Sequence, residues 1–202
     1  TIKARAQFRL RQITAESSPF SVRTQYTSIE LGRGHACGLT AGDTHCWGAN
    51  ETDQLSRDYG TFGQPVYDSV ATVIWYKKPS IQLTSSANGT CALHADGEVL
   101  CWGSGPAGPV PGTGPGGIIF TQISAGESGH TCGVTAGGAA YCWNGLNFFG
   151  ELGNGTTDPS ATPVLVSGSG SGALVFKQIG AGHFYTCAVT VAESAYCWGA
   201  NS

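Results

Sequence analysis

The chain has 202 residues, only 11% of them charged, with 31 glycines and a net charge of −3. That length is one large domain or a compact array of repeats, and the glycines, with Ser, Thr and Asn, specify short strands and many turns rather than long helices. The acidic balance excludes the broad basic face that nucleic acid requires, and no run of 18 apolar residues is present to span a membrane.

The first thirteen residues alternate with period two. Ile2, Ala4, Ala6, Phe8 and Leu10 share one face; Lys3, Arg5, Gln7, Arg9 and Arg11 share the other. This is the pattern of a half-buried strand. Residues 1–13 carry +4 and no acid, so a net −3 leaves −7 on residues 14–202. A polar stretch, residues 14–27, reads as a tether. The chain begins at Thr1, contains no Met and shows no secretory leader. Either a leader has been removed or the parent protein is longer.

From residue 28 the cysteines set the organisation. They form four couples, Cys37 with Cys46, Cys91 with Cys101, Cys132 with Cys142 and Cys187 with Cys197, and each second Cys precedes a Trp. Such recurrence marks a repeat architecture. Each couple closes a hairpin. Pairing Cys91 with Cys101 also pairs Ala92 with Leu100 and Leu93 with Val99, leaving Ala95-Asp96-Gly97 as a turn with Gly where positive φ is wanted. The third hairpin closes over Ala136-Gly137-Gly138 and the first, one residue shorter, over Ala41-Gly42. The fourth has Val191-Ala192-Glu193 and no Gly.

The two sulfurs of each couple then lie across the hairpin at bridging distance, and each loop gains about 2–3 kcal/mol from cross-linking. Zinc is the rival. The chain has no C-x2-C knuckle, and the positions of His35 and His130 are taken in the other units by Gly89 and Tyr185, so no metal ligand set recurs. Four disulfides imply an oxidising compartment. Asn50, Asn88 and Asn154 head N-glycosylation sequons, which agree with an extracellular or cell-surface location.

The best-preserved unit runs from Phe120 to Val166. Its Ile123 to Gly126, His130 to Val134, Cys142-Trp143 and Gly150 to Gly155 resemble the repeat of the regulator of chromosome condensation family. The resemblance extends over residues 28–202. It implies an all-β fold: a β-propeller-like array of four repeats, each with a disulfide-closed hairpin, plus the N-terminal extended strand. Nuclear members of the family are seven-bladed, activate a small GTPase and bind chromatin. Four units, paired cysteines and an acidic body point away from that activity.

The second unit departs from the pattern, with a Pro/Gly-rich stretch over residues 103–117 that reads as an extended loop. Trp47, Trp102, Trp143 and Trp198 hold one repeat position and read as packing between blades. Ile29, Leu83, Ile123 and Ile179 read as core, Gly126 and Gly182 as turn formers, and residues 167–172 as a flexible loop. No Ser-His-Asp set or carboxylate pair stands out, so neither an enzyme nor a cofactor is expected; N-glycans are.

The last unit stops after Cys197-Trp198, short of the segment and strand that follow Trp143. Its blade is expected to carry an open edge, and residues 1–13 are a strand without a hairpin partner. The strand closes that blade either in its own chain or in the next one. The second option makes a secreted, glycosylated structural protein that self-assembles head to tail, possessing Ile2, Lys3, Ala4, Arg5, Ala6, Phe8, Arg9, Leu10 and Arg11 as its assembly strand. The alternative is a monomeric extracellular propeller that binds a protein or carbohydrate through its loop face, with residues 103–117 as the contact.

Overall fold

A computed structural model of the chain describes residues 25–41, 43–55, 78–105, 107–170 and 174–201, and the backbone of 67–73. The expected assembly strand and most of the tether lie outside the described residues. Four antiparallel sheets follow one another along the chain, and no described residue is helical. The first sheet contains β1 (Ser28–Leu31), β2 (His35–Leu39), β3 (Thr44–Ala49) and β4 (Tyr67–Val73). The second contains β5 (Ser80–Ser85), β6 (Gly89–His94), β7 (Val99–Gly103) and β8 (Gly108–Pro109). The third contains β9 (Phe120–Ala125), β10 (Thr131–Thr135), β11 (Ala140–Trp143) and β12 (Val164–Leu165). The fourth has β13 (Phe176–Ala181), β14 (Tyr185–Thr190) and β15 (Ala195–Gly199), and β15 is its edge.

The cysteines sit opposite one another in each central hairpin, with Cα atoms 4.0 to 4.1 Å apart, and all eight are paired. That is the close spacing of a pair without ladder hydrogen bonds, where facing side chains approach most nearly. The expected turns of the second and third hairpins form, with Gly97 and Gly138 at φ of +80° and +76°; Gly42 of the first turn lies outside the described residues. The fourth hairpin, lacking Gly, places Glu193 at φ 63° in the same position.

The described residues of 103–117 form more than an extended loop. Gly108 and Pro109 pair with Cys101 and Leu100 as the outer strand, and Val110 is buried. An outermost strand tolerates Pro because its missing N–H would face outward.

Alternation along each strand gives every sheet a forward face, toward the next repeat, and a rear face, toward the preceding one. The disulfide lies on the forward face; the Trp and the Ile or Leu of the first strand lie on the rear. The cores lie between sheets. One gathers Cys37, Leu39, Cys46 and Leu55 against Leu83, Ala92, Leu100 and Trp102. The next sets Cys91, Leu93, Val99 and Cys101 against Phe120, Ile123 and Trp143. The third sets Cys132, Val134, Cys142 and Leu152 against Phe176, Ile179 and Ala188, with Trp198 alongside.

Two expectations need correcting at the outer sheets. Ile29 is not core: it is 52% exposed, while its counterparts Leu83, Ile123 and Ile179 are 1–2% exposed. Trp47 likewise joins none of the cores between the described sheets; it packs on Tyr26, just ahead of β1, ring centroids 5.8 Å apart. The cause is the same for both. They lie on the rear face of the first sheet, which no other described sheet covers.

Candidate functional site

The polar contacts that join neighbouring sheets recur at fixed repeat positions. The side-chain amide of Gln82 brackets the backbone of Ile123, accepting from its N–H at 3.0 Å and donating to its carbonyl at 2.9 Å. Gln122 does the same to Ile179, at 3.1 and 3.2 Å. One step along, Thr84 Oγ1 accepts from Ala125 N–H and Ser124 Oγ from Ala181 N–H. These bonds fix the inner strands in register without spending ladder hydrogen bonds.

A second set lies over the disulfides. The Nε2 atom of His35 meets Thr90 Oγ1 at 2.9 Å, and that of His130 meets Thr186 Oγ1 at 3.0 Å. Thr186 donates to Glu151 O, so it accepts from His130, whose Nε2 therefore carries the proton; Ser128 Oγ lies 2.9 Å from the other ring nitrogen. His35 has Arg33 where His130 has Ser128, and its buried Nδ1 has no hydrogen-bond partner among the described residues. Burial lowers the pKa of both rings; Glu151 works in the opposite direction on His130.

A third set explains the Gly-x-Leu-Gly element. The carbonyls of Gln54 and Glu151 each accept the indole N–H of the next sheet's Trp, Trp102 and Trp198, at 2.9 Å. The Gln54 and Glu151 side chains cap the N–H groups of Thr52 and Phe149. Asn50 and Asn147 accept from the N–H groups of Leu55 and Leu152, at 3.0 Å each, and so seat both leucines in the cores.

The second unit shows how these parts depend on one another. A Cβ on Gly32 or Gly126 would lie 2.2 and 2.4 Å from the imidazoles of His35 and His130. The unit that has Gly89 in place of His has Ser86 in place of that glycine. Ring and glycine change together because both occupy one space.

The three sequons differ in their surroundings. Asn50 is engaged through its Oδ1 at Leu55, and the Thr of the Asn88 sequon, Thr90, is buried against His35. Asn154 lies in a turn whose Thr156 is exposed, with Oδ1 accepting from Thr156 N–H and Oγ1. Beside it, a cleft of about 660 Å³ is bordered by Gly153, Thr156, Asp158, Ser167 and Trp198. Among the described residues no cluster of three His, Cys, Asp or Glu could hold a metal ion.

The exposed apolar surface is not where residues 103–117 would have placed it. Leu146, Phe148 and Phe149 stand exposed in the loop after β11, and Phe149 packs on Phe184 of the fourth sheet at 5.4 Å. The inter-sheet glutamines, threonines and capping residues were missed in the sequence. Their signal was a Gln before the core Leu or Ile at 82, 122 and 178, and a Thr before the Cys at 90, 131 and 186.

Two models of the regulator of chromosome condensation (RCC1) repeat match, over residues 137–189 and 81–108. The chain carries RCC1 repeats over those two segments. It is 31% identical over 185 residues to the ultraviolet-B receptor UVR8 of Arabidopsis thaliana, covering 85% of this chain and 40% of that protein. Its fold is similar to yeast RCC1 (Prp20), seen in a crystal structure bound to Kap60, with a TM-score of 0.71 and 19% identity over 90% of this chain and 45% of that one. The ectodomain of the Physcomitrella patens receptor kinase CR4 is similar at a TM-score of 0.59 and 21% identity, covering 88% of this chain and 42% of that one. The chain therefore spans less than half the length of each of these relatives.

Two predictions follow from the locks. Gly89→His alone drives its ring into Ser86 and lowers stability by about 1–2 kcal/mol; adding Ser86→Gly recovers at least about 0.5 kcal/mol of it in a urea-denaturation double-mutant cycle. Additive effects would contradict the shared-space account. The lowered histidine pKa values mean that the unfolded chain binds protons the folded chain refuses. Stability therefore holds above the ordinary histidine range near 6.5 and falls as pH drops through it. Burial raises the Glu30 and Asp53 carboxyls, which act oppositely at lower pH. The melting temperature should fall between about pH 7 and 5.5, less steeply in His130→Gln; equal slopes in the two proteins would count against a buried neutral His130.

Proposed function

We propose that the chain is a secreted, N-glycosylated structural protein that assembles head to tail, residues 1–13 of one copy adding a strand to β15 of the next. The observation that carries this reading is the β15 edge. The other three sheets have a fourth strand outside the third, whereas β15 has none among the described residues. Its residues Ala195, Tyr196 and Cys197 are exposed, and an uncovered edge is a template for an added strand. The alternating pattern from Ile2 to Arg11 and the +4 arm against a −7 body fit that role. Four disulfides support an oxidising compartment. Asn154 is the sequon best placed for a glycan, because its Oδ1 bonds the exposed Thr156 of its own sequon, whereas Asn50 seats the core Leu55 and Thr90 is buried. The reading assigns no catalysis and no cofactor.

A second reading is a monomeric extracellular propeller that binds a protein through its loop face. The exposed Leu146, Phe148 and Phe149 favour it, and the yeast RCC1 relative is itself seen bound to Kap60. A carbohydrate ligand would be sought in the cleft beside Trp198.

Electron microscopy of the native chain beside a form lacking residues 1–13 separates the two readings. Strand donation predicts filaments or rings that disappear with the arm. Discrete single particles in both samples would overturn it and turn attention to the aromatic loop cluster.

A further inference from the structure

The core between the second and third sheets repeats the core between the third and fourth, with one gap. Its Cys101, Val110 and Trp143 hold the repeat positions of Cys142, Val166 and Trp198, which gather with Leu152 in the later core. Leu152 has no counterpart in the middle core, because the second unit lacks the Gly-x-Leu-Gly element that supplies it. Those same three residues border a slot of about 110 Å³, completed by Pro109, Asn144 and Ala161. Both of its walls are internal to the chain, one from the second unit and one from the third.

The missing element removes a hydrogen bond as well. The indole N–H of Trp102 donates to Gln54 O and that of Trp198 to Glu151 O. Trp143 has no such carbonyl ahead of it, and its indole N–H has no hydrogen-bond partner among the described residues. Phe120 steadies the ring, centroids 5.3 Å apart. Beside it, Asn144 takes the position that Gly48, Gly103 and Gly199 take after the other three repeat tryptophans. It holds φ of 62°, a left-handed backbone that Gly adopts more readily. Its side-chain amide has no hydrogen-bond partner among the described residues and lies near the loop of the second unit, 3.4 Å from where a Cβ on Gly105 would stand.

The slot therefore asks for an apolar group next to a carbonyl oxygen. At the other two interfaces Leu55 and Leu152 supply the first, and the carbonyls of the residues just before them supply the second. The slot is smaller than the cavity of about 150 Å³ that admits benzene, so it takes a few heavy atoms rather than a whole ring. None of its bordering side chains is ionisable, Cys101 being tied in a disulfide, so the group is neutral. Pro109 and Pro111 have no N–H to pair with a peptide strand, which sets this rim apart from a sheet edge that captures peptides.

We propose that this slot binds the acetamido group of an N-acetylhexosamine. The methyl takes the place of the missing leucine, the carbonyl oxygen accepts from the Trp143 indole N–H, and the amide N–H donates to Asn144 Oδ1. The sugar ring stays outside, over the exposed Pro109, Pro111 and Ala161. A few polar groups converging on an apolar concavity are what fix a small ligand. The site is separate from the cleft beside Trp198, whose indole is already taken by Glu151 O. It stands whether the chain assembles or remains a monomer.

The test is a nuclear magnetic resonance titration of the dilute, nitrogen-15-labelled full chain, read at the indole N–H signals of its five tryptophans. The Trp143 signal is assigned by its loss in Trp143→Phe. N-acetylglucosamine should move that signal and saturate it at about millimolar concentration. Glucose, which lacks the acetamido group, should leave it in place. Asn144→Gly restores the residue that the other units use, so it should melt no lower than the parent, yet bind about three- to tenfold more weakly. A Trp143 signal that ignores N-acetylglucosamine, or answers glucose equally, overturns the proposal, as does full affinity in Asn144→Gly. A response at Trp198 instead would move binding to the other cleft and overturn it too. N-acetylalanine methylamide offers the same group on a peptide; if it binds more tightly than the sugar, the carbohydrate assignment falls.

Discussion

Each blade is a sheet of three or four short strands with two apolar faces, and within its own repeat neither face has anything to pack on. A single repeat therefore cannot fold by itself, because its apolar area leaves water only when another sheet lies against it. Everything else in the chain serves that constraint. The disulfide ties the central hairpin at the point where the next blade's rear face arrives. The Trp and Ile or Leu of that rear face each remove a large apolar surface from water, worth about 1.5–3 kcal/mol for a fully buried side chain.

Apolar contact alone would let one sheet slide over the next, so polar groups set the register. The Gln amides do this on the inner strands, and the His–Thr and Trp–carbonyl bonds do it over the disulfides. All three kinds of bond leave water when the blades meet, and a buried group that misses its partner costs about 1–3 kcal/mol. A slip by one residue would unpair several at once. The middle interface, with Gly89 and without a Gly-x-Leu-Gly element ahead of it, retains the Gln82 bracket and the Thr84 bond and relies on the packing of Leu93 and Val99 against Phe120, Ile123 and Trp143.

Much of this was legible in the chain itself. The cysteine spacing fixed the hairpins and their register, since only direct cross-strand pairing puts both sulfurs within reach. Turn glycines located the bends, and the Trp after each second Cys located the packing face. The polar locks were not legible, because a Gln, a Thr or a carbonyl has no meaning until the neighbouring sheet supplies its partner, about 40 to 57 residues away. The same limit accounts for Ile29. Its sequence context matches Ile123, but burial belongs to the pair of sheets and not to the residue. Residues 103–117 misled for a local reason: Pro excludes a central strand, yet permits the outermost position that Pro109 takes.

Each forward face is protected by the following blade, and the fourth has none among the described residues. Limited reduction of the native chain, at a dilution where it is monomeric, followed by thiol labelling tests this most directly. The Cys187–Cys197 disulfide should open first and alone, with Cys37–Cys46, Cys91–Cys101 and Cys132–Cys142 resisting until the chain unfolds. Labelling that spreads evenly over all four pairs, or begins at one of the three internal ones, would contradict the claim.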